Sequence, residues 1–193
     1  MTFGEFIARR RKCAMTTRGE ILAAARGRFL AESYENVGLR EIAADVGVDV
    51  ALVSRYFGSK DNLFREVLRA GKEDKFKLDI PAAELPAYLA SLVARQEECA
   101  ESEQIEKLLI ILRSASSPVA SEIVRETVRC DVLEPLARLL GGEEAAERAG
   151  LILSILFGST LLCTIMAMEP CIGDDDAMRA RLTRLFEAAL AAG

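Results

Sequence analysis

Apolar residues recur at intervals of three and four along most of this chain, and no convincing stretch alternates with a period of two. That spacing predicts packed helices rather than strands. A first helix is expected from Thr16 or Thr17, with hydroxyls at its cap, to near Ser33-Tyr34, carrying Ile21, Leu22, Ala25 and Phe29 on one face. Two short helices follow at about 39–46 and 50–56, separated by Gly47. Ser59 reads as the N-cap of a fourth, with Asp61 in its first turn and Leu63, Phe64, Val67 and Leu68 on its apolar side. The charged stretch from Lys72 ends in Pro81, which marks a boundary. Beyond it Pro86, Pro118 and the Gly141-Gly142 pair divide the chain into about five helices, near 82–99, 103–115, 118–140, 143–168 and 174–191. The last places Met178, Leu182, Leu185, Phe186 and Ala189 on a single stripe. The expected fold class is all-α, with about nine helices: a loosely ordered basic arm at 1–14, an N-terminal helical domain at 15–77 and a C-terminal helical domain at 78–193.

Composition agrees with this. Trp is absent and aromatics make up only 6% of 193 residues, while Ala and Leu are abundant, a balance that favours helix on helix. Charge adds something the pattern does not show. The net charge is −5, yet residues 1–77 hold 15 Lys and Arg against 11 Asp and Glu, a net of +4, which leaves −9 on the remainder. A basic head attracts phosphate through counterion release, and an acidic body stays off it. The chain has no histidine, which weakens zinc, di-iron and imidazole acid–base chemistry. With no paired acids in an apolar setting, no GxSxG and no phosphate loop, an enzyme is not expected, nor any metal or cofactor. Cys13, Cys99, Cys130, Cys163 and Cys171 show no CxxC spacing, and Glu5 and Arg9-Arg10-Arg11-Lys12 break any apolar leader. Reduced cytoplasmic thiols packed as small hydrophobes are expected, a redox role being the alternative.

Residues 39–57 read LREIAADVGVDVALVSRYF. Ala43 is small enough for a second helix to pack on its Cβ, and Gly47 can take positive φ and turn the chain sharply. Ile42, Val46, Val48 and Val53 supply the apolar wedge between the two helices. From Thr17 through Leu68 the chain, with TRGEILAAARGRF, LREIAADVGV and RYFGSKDNLFREVL, resembles the helix-turn-helix DNA-binding domain of TetR family transcriptional regulators (TetR/AcrR type). Tyr56-Phe57-Gly58-Ser59-Lys60 weighs most, because an ordinary helix-turn-helix does not require it. The resemblance implies an N-terminal three-helix DNA-binding domain and a C-terminal effector-binding and dimerisation domain. It also implies that the helix from Val50 to Tyr56 lies in the major groove. Val50, Ala51, Ser54 and Tyr56 would then meet base edges or phosphates, Tyr56 and Lys60 would hold phosphates, and Arg40 would reach a base or phosphate at the groove edge. Arg40 suits a guanine edge and Val50 and Ala51 suit thymine methyls; Arg55 is either a phosphate contact or a surface ion pair. Two departures stand out: Gly38 replaces the hydroxyl residue that often caps the first short helix, and the recognition helix is unusually apolar. Shape, water or the Arg9–Lys12 arm in a flanking minor groove would then add to recognition.

Residues 149–168 carry no charge, which is long enough for a bilayer span. The flank at Glu169 and Asp174-Asp175-Asp176 is acidic and there is no aromatic belt, so a buried helix is the preferred reading. Gly150, Ser154 and Gly158 form a small-residue ridge along it. The resemblance implies a homodimer through the last two helices, reading a palindromic double-stranded operator, and an effector pocket among the body helices. Candidate lining residues are Leu109, Leu112, Arg113, Ile155, Phe157, Thr160, Cys163 and Met166, with Arg113 able to hold an anionic ligand or an internal salt bridge. The expected function is a cytoplasmic repressor released by a small apolar or amphipathic effector. The alternatives are a nucleoid or division factor without a small-molecule switch, and a thiol-based redox-sensing regulator.

Overall fold

The structure, a computed structural model, describes residues 3–70, 80–81, 83–94, 103–168 and 176–191, with side chains from Thr16 and, in the fourth stretch, from Ile105. The side chains of Arg9–Lys12 and Cys13, the charged stretch from Lys72, and Cys99 and Cys171 lie outside the described residues. Every regular element among those described is helical: α1 (Phe3–Ala31), α2 (Leu39–Val46), α3 (Val50–Phe57), α4 (Lys60–Arg69), α5 (Leu85–Ala94), α6 (Glu103–Ser114), α7 (Pro118–Val128), α8 (Glu134–Leu140), α9 (Ala145–Ser159) and α10 (Asp176–Leu190). A π-helical turn, Arg129–Leu133, lies between α7 and α8, and a second, Thr160–Ile165, follows α9.

The periodicity located these helices well, with one correction. The helix expected at Thr16 begins at Phe3, so residues 3–14 are helical rather than a loose arm. A helix is about 10–12 Å across and the minor groove about 6 Å wide. A helical extension therefore cannot thread that groove as an extended arm does.

The chain forms two compact units. The first comprises residues 1–70 together with 107–125, so a single cut at residue 77 does not describe it. Its core joins Ile21, Ala25 and Phe29 of α1, Ile42 and Ala43 of α2, Val53 and Phe57 of α3, and Leu63, Phe64 and Val67 of α4. Ile110, Ala120 and Ile123, from α6 and α7, are buried in the same core. Phe64 lies edge-on to Phe29 at 4.8 Å and to Tyr34 at 5.0 Å between centroids, a geometry aromatic quadrupoles favour. Polar ties follow the same route. Arg113 Nη1 donates to the Ala31 carbonyl at 3.3 Å, Lys107 Nζ donates to the Ala70 carbonyl, and Ser117 Oγ bonds Glu35. Both cations thus sit at helix C-terminal ends, where the helix dipole welcomes positive charge.

The turn between α2 and α3 is built as the spacing implied. Gly47 takes φ 72°, ψ 34°. The Val48 N–H donates to the Ala43 carbonyl at 3.0 Å and the Gly47 N–H to the Ala44 carbonyl at 3.2 Å, the paired bonds of a Schellman stop. A Cβ on Gly47 would meet nothing within 4 Å, so the backbone angle, not crowding, requires glycine. Asp49 then caps α3, its carboxylate accepting from the Ala51 N–H at 2.7 Å, and Ser59 Oγ caps α4 from the Asn62 N–H at 3.2 Å.

The second unit comprises residues 71–106 and 126–193. Leu85, Leu89 and Val93 of α5, Leu136 of α8, Ala149, Ile152 and Leu153 of α9, and Leu182, Phe186 and Ala189 of α10 make its core. Arg148 Nη1 donates to the Leu190 carbonyl at 2.8 Å, tying α9 to the end of α10. The expected stripe on α10 is correct except at Leu185, which is 47% exposed. The helical run Ala145–Ile165 is long and apolar enough to cross a membrane by length and composition, but Ala149, Ile152 and Leu153 on it belong to this core. The thiol expectation is corrected at one position: Cys130 is free, while Cys163 is disulfide-bonded.

Replacing Gly47 by alanine should cost about 1–2 kcal/mol of unfolding free energy, the strain of a left-handed non-glycine residue. Gly47→Asn should recover much of it, because Asn tolerates that region. Urea unfolding of the two variants measures both.

Candidate nucleic-acid interface

The caps and the turn leave one side of α3 facing outward. Val53 and Phe57 point into the core, while Ala51, Ser54 and Arg55 are exposed. Arg40, on the exposed side of α2, is also outward-facing. Neither Arg40 nor Arg55 has an ion-pair partner among the described residues, so both guanidiniums are available to an incoming anion. Val50 and Tyr56 are half-buried and pack on the core; Tyr56 lies edge-on to Phe57 at 6.4 Å. Ala51, Ser54, Arg55 and Arg40 therefore form the open part of the surface, and Val50 and Tyr56 its edge.

Lys60 occupies a different setting. It is half-buried, donates from Nζ to the Tyr34 carbonyl at 2.8 Å, and lies 4.1 Å from the Tyr34 ring centroid. The Tyr34 hydroxyl in turn donates to Asp61 Oδ1 at 2.5 Å. Burial first, then the Asp61 carboxylate, pushes the Tyr34 phenol well above its usual range, so it remains a donor. Lys60 thus locks the start of α4 onto the turn after α1.

A clamp the sequence pattern did not reveal orients α2. Arg28 of α1 grips Asp45 of α2 with two bonds, Nε to Oδ2 at 2.6 Å and Nη2 to Oδ1 at 2.7 Å, and also reaches Glu32 at 3.3 Å. The hydrogen bond from Arg28 holds the Asp45 carboxyl below its ordinary value. This is the bidentate fork for which arginine is suited. Arg18 adds a cation over the Phe57 ring at 4.8 Å and an ion pair with Glu66 at 2.9 Å. No spacing in the sequence signals the Arg28–Asp45 and Arg18–Glu66 pairs, because their partners are brought together only by helix crossing.

The candidate effector residues are not gathered in one unit. Leu109, Leu112 and Arg113 fall in the first unit and Ile155, Phe157, Thr160, Cys163 and Met166 in the second. Arg113 is exposed and donates to the Ala31 carbonyl rather than to the acid expected of it. Leu112, Phe157 and Met166 are exposed at 42%, 38% and 57%. Leu109 and Ile155 are half-buried, as is Thr160, whose Oγ1 donates to the Leu156 carbonyl at 2.9 Å. The Thr127 hydroxyl, which sequence reasoning passed over, is buried with no hydrogen-bond partner among the described residues.

Two family models match this chain. One, for a Tetracyclin repressor-like C-terminal domain, covers residues 84–190. The other, for bacterial regulatory proteins of the tetR family, covers residues 21–67. The chain belongs to the TetR family. It is accordingly a DNA-binding transcriptional regulator, with the α2–α3 pair as its helix-turn-helix.

Solved structures show the same fold. NalD of Pseudomonas aeruginosa, the secondary repressor of the MexAB-OprM multidrug efflux pump, aligns over 92% of this chain and 97% of its own at 20% identity, TM-score 0.67. A second, native NalD structure gives 18% identity, 91% and 97% coverage and TM-score 0.65. HlyIIR, a hemolysin II transcriptional regulator, aligns at 20% identity over 89% of this chain and 97% of its own, TM-score 0.52. No curated protein is similar enough to count as a match.

For this TetR-family chain, Lys60→Met should lower the unfolding free energy by roughly 1 kcal/mol in DNA-free protein, through the lost carbonyl bond and ring contact. Chemical denaturation without DNA reads this directly, and an unchanged midpoint would restrict Lys60 to phosphate binding.

Proposed function

We propose that this protein is a cytoplasmic repressor that binds a palindromic double-stranded operator as a homodimer and is released by a small apolar or amphipathic effector. The outward face of α3, with Ala51, Ser54 and Arg55 exposed beside Arg40, carries this reading. A surface poor in hydrogen-bonding side chains reads sequence through methyl contacts and DNA shape, and its two free guanidiniums grip phosphate or guanine. Val50, Tyr56 and Lys60 line the edge of the same contact.

Dimerisation is supported by the last two helices, where Leu151, Leu162 and Leu185 remain exposed at 51%, 45% and 47%. Large apolar side chains left open at such levels mark interaction surfaces when they share a face, and a two-fold partner places two heads one helical turn apart on DNA. The effector site is assigned to the second unit, with Ile155, Phe157, Thr160, Cys163 and Met166 as lining candidates and the unpartnered Thr127 hydroxyl as a polar handle. Leu109, Leu112 and Arg113 belong to the first unit and fall outside that site. NalD, a repressor of similar fold, supports repression as the direction of control.

Selection from random duplex DNA at two salt concentrations tests the proposal. A palindromic motif is expected, with affinity falling steeply with salt, by a log–log slope of about −0.9 for each phosphate neutralised. Salt-sensitive binding without a motif would replace it with a nucleoid or division factor.

A second reading is favoured by one observation, the disulfide at Cys163, since cytosolic disulfides are often redox devices. Peroxide would convert two thiols to a disulfide with release of two waters, and a thiol reductant would reverse the step. A redox regulator should change operator affinity at least about tenfold between the two states, the scale of a modest allosteric coupling. Equal affinity in peroxide and in reductant would leave the disulfide a structural crosslink.

A further inference from the structure

Lys60 stands three residues past Phe57, the end of α3, at the edge of the proposed DNA contact. A lysine is ordinarily a mobile point charge on a flexible four-carbon stem. This one is held from two sides by a single residue. Its Nζ donates to the Tyr34 carbonyl at 2.8 Å and lies 4.1 Å from the centroid of the Tyr34 ring. Tyr34 is itself fixed: it is 2% exposed, stacked on Phe29 and edge-on to Phe64.

The far end of the same side chain handles the opposite charge. Asp61 directly follows Lys60 and is the acid nearest to it in the chain. The Tyr34 hydroxyl donates to Asp61 Oδ1 at 2.5 Å, and Lys60 pairs with no acid among the described residues. Both side chains are half-buried, where an ion pair between them would be screened less than at the surface. A carbonyl and a ring face hold an ammonium without cancelling its formal charge, whereas a carboxylate would cancel it. An ammonium has three N–H donors, so one bond to a carbonyl leaves others for an anion. Fixing the cation in advance also lowers the ordering cost of the contact.

Resting on the DNA-binding reading above, and on Lys60 as a phosphate contact within it, we infer that Tyr34 is a positioning residue for DNA binding. Its carbonyl and ring fix the Lys60 ammonium, and its hydroxyl keeps the Asp61 carboxylate from pairing with that ammonium. Tyr34, buried in the core, acts on DNA only through Lys60. It therefore sets the strength of the grip on phosphate and leaves the choice of bases to α3.

Tyr34→Phe keeps the ring, its core contacts and the carbonyl, and releases only Asp61. Affinity of the purified full chain for its selected duplex, measured across a range of salt, gives the readout, with Lys60→Met as reference. Lys60→Met should flatten the log–log salt slope by about 0.9, the share of one phosphate. Tyr34→Phe should weaken binding about three- to tenfold at low salt and flatten the slope by up to the same amount, because the freed carboxylate neutralises Lys60. Adding Asp61→Asn to Tyr34→Phe should restore affinity and slope. In the Lys60→Met background, Tyr34→Phe should change the slope no further. A tyrosine that only supports the fold would lower the unfolding midpoint and leave the slope alone, and that result overturns the inference. If Tyr34→Phe changes neither affinity nor slope while Lys60→Met flattens it, the inference is wrong and the Lys60 contact stands. If Lys60→Met also leaves the slope unchanged, the inference falls with that contact, and binding through α3 stands. If the wild-type chain binds no duplex at all, the inference and the DNA reading fall together.

Discussion

Burial of Phe29, Tyr34 and Phe64 against one another, beneath α2 and α3, is the constraint on which the DNA-binding head depends. The three rings touch one another within a small core, and small cores have little stability to spare. Ile110, Ala120 and Ile123 close it from a distant part of the sequence. The head is thus not the contiguous domain that its motif suggests. Its interior is completed by residues that the chain supplies only after passing through another unit. The orientation of α3, and with it the outward face of Ala51, Ser54 and Arg55, is set by that shared interior.

Charge is arranged around this core in two groups. Arg28, Lys60 and Arg113 are committed to groups within the head, holding Asp45, the Tyr34 carbonyl and the Ala31 carbonyl. Arg40 and Arg55 are left exposed. A count of basic residues would treat all five alike, yet the charge of Arg28 is offset by carboxylates, while Lys60 and Arg113 keep theirs but are held in place by carbonyls. The balance between tying the head together and gripping DNA is therefore decided by which acid or carbonyl each side chain finds.

Most of the fold could be read directly from residue order. The three-and-four spacing located every described helix, Gly47 marked the turn, and Ser59 marked a cap, because each depends on neighbours within one or two turns. The start of α1 was misjudged: a run of arginines resembles a solvated tail, yet arginine is also a good helix former. Leu185 was placed on the buried stripe of α10, but it lies at the edge of that stripe and stays exposed. Arg40, Ala51, Ser54 and Arg55, the residues expected to meet DNA, are exposed. Lys60 was assigned from the family resemblance and Arg113 from its place in an apolar run, and neither signal reveals that a backbone carbonyl lies within reach.

By itself, then, the sequence determined the helices, their caps and the sharp turn that creates the helix-turn-helix, since these follow from local backbone preference and from which face of each helix is apolar. Only the tertiary structure decided that residues 107–125 complete the head, that Arg28 clamps Asp45 and that Cys163 is crosslinked. Each of these depends on where atoms far apart in the chain, or side chains free to choose among rotamers, come to rest once the core has closed. Spacing carries no record of such distances, because packing alone sets them.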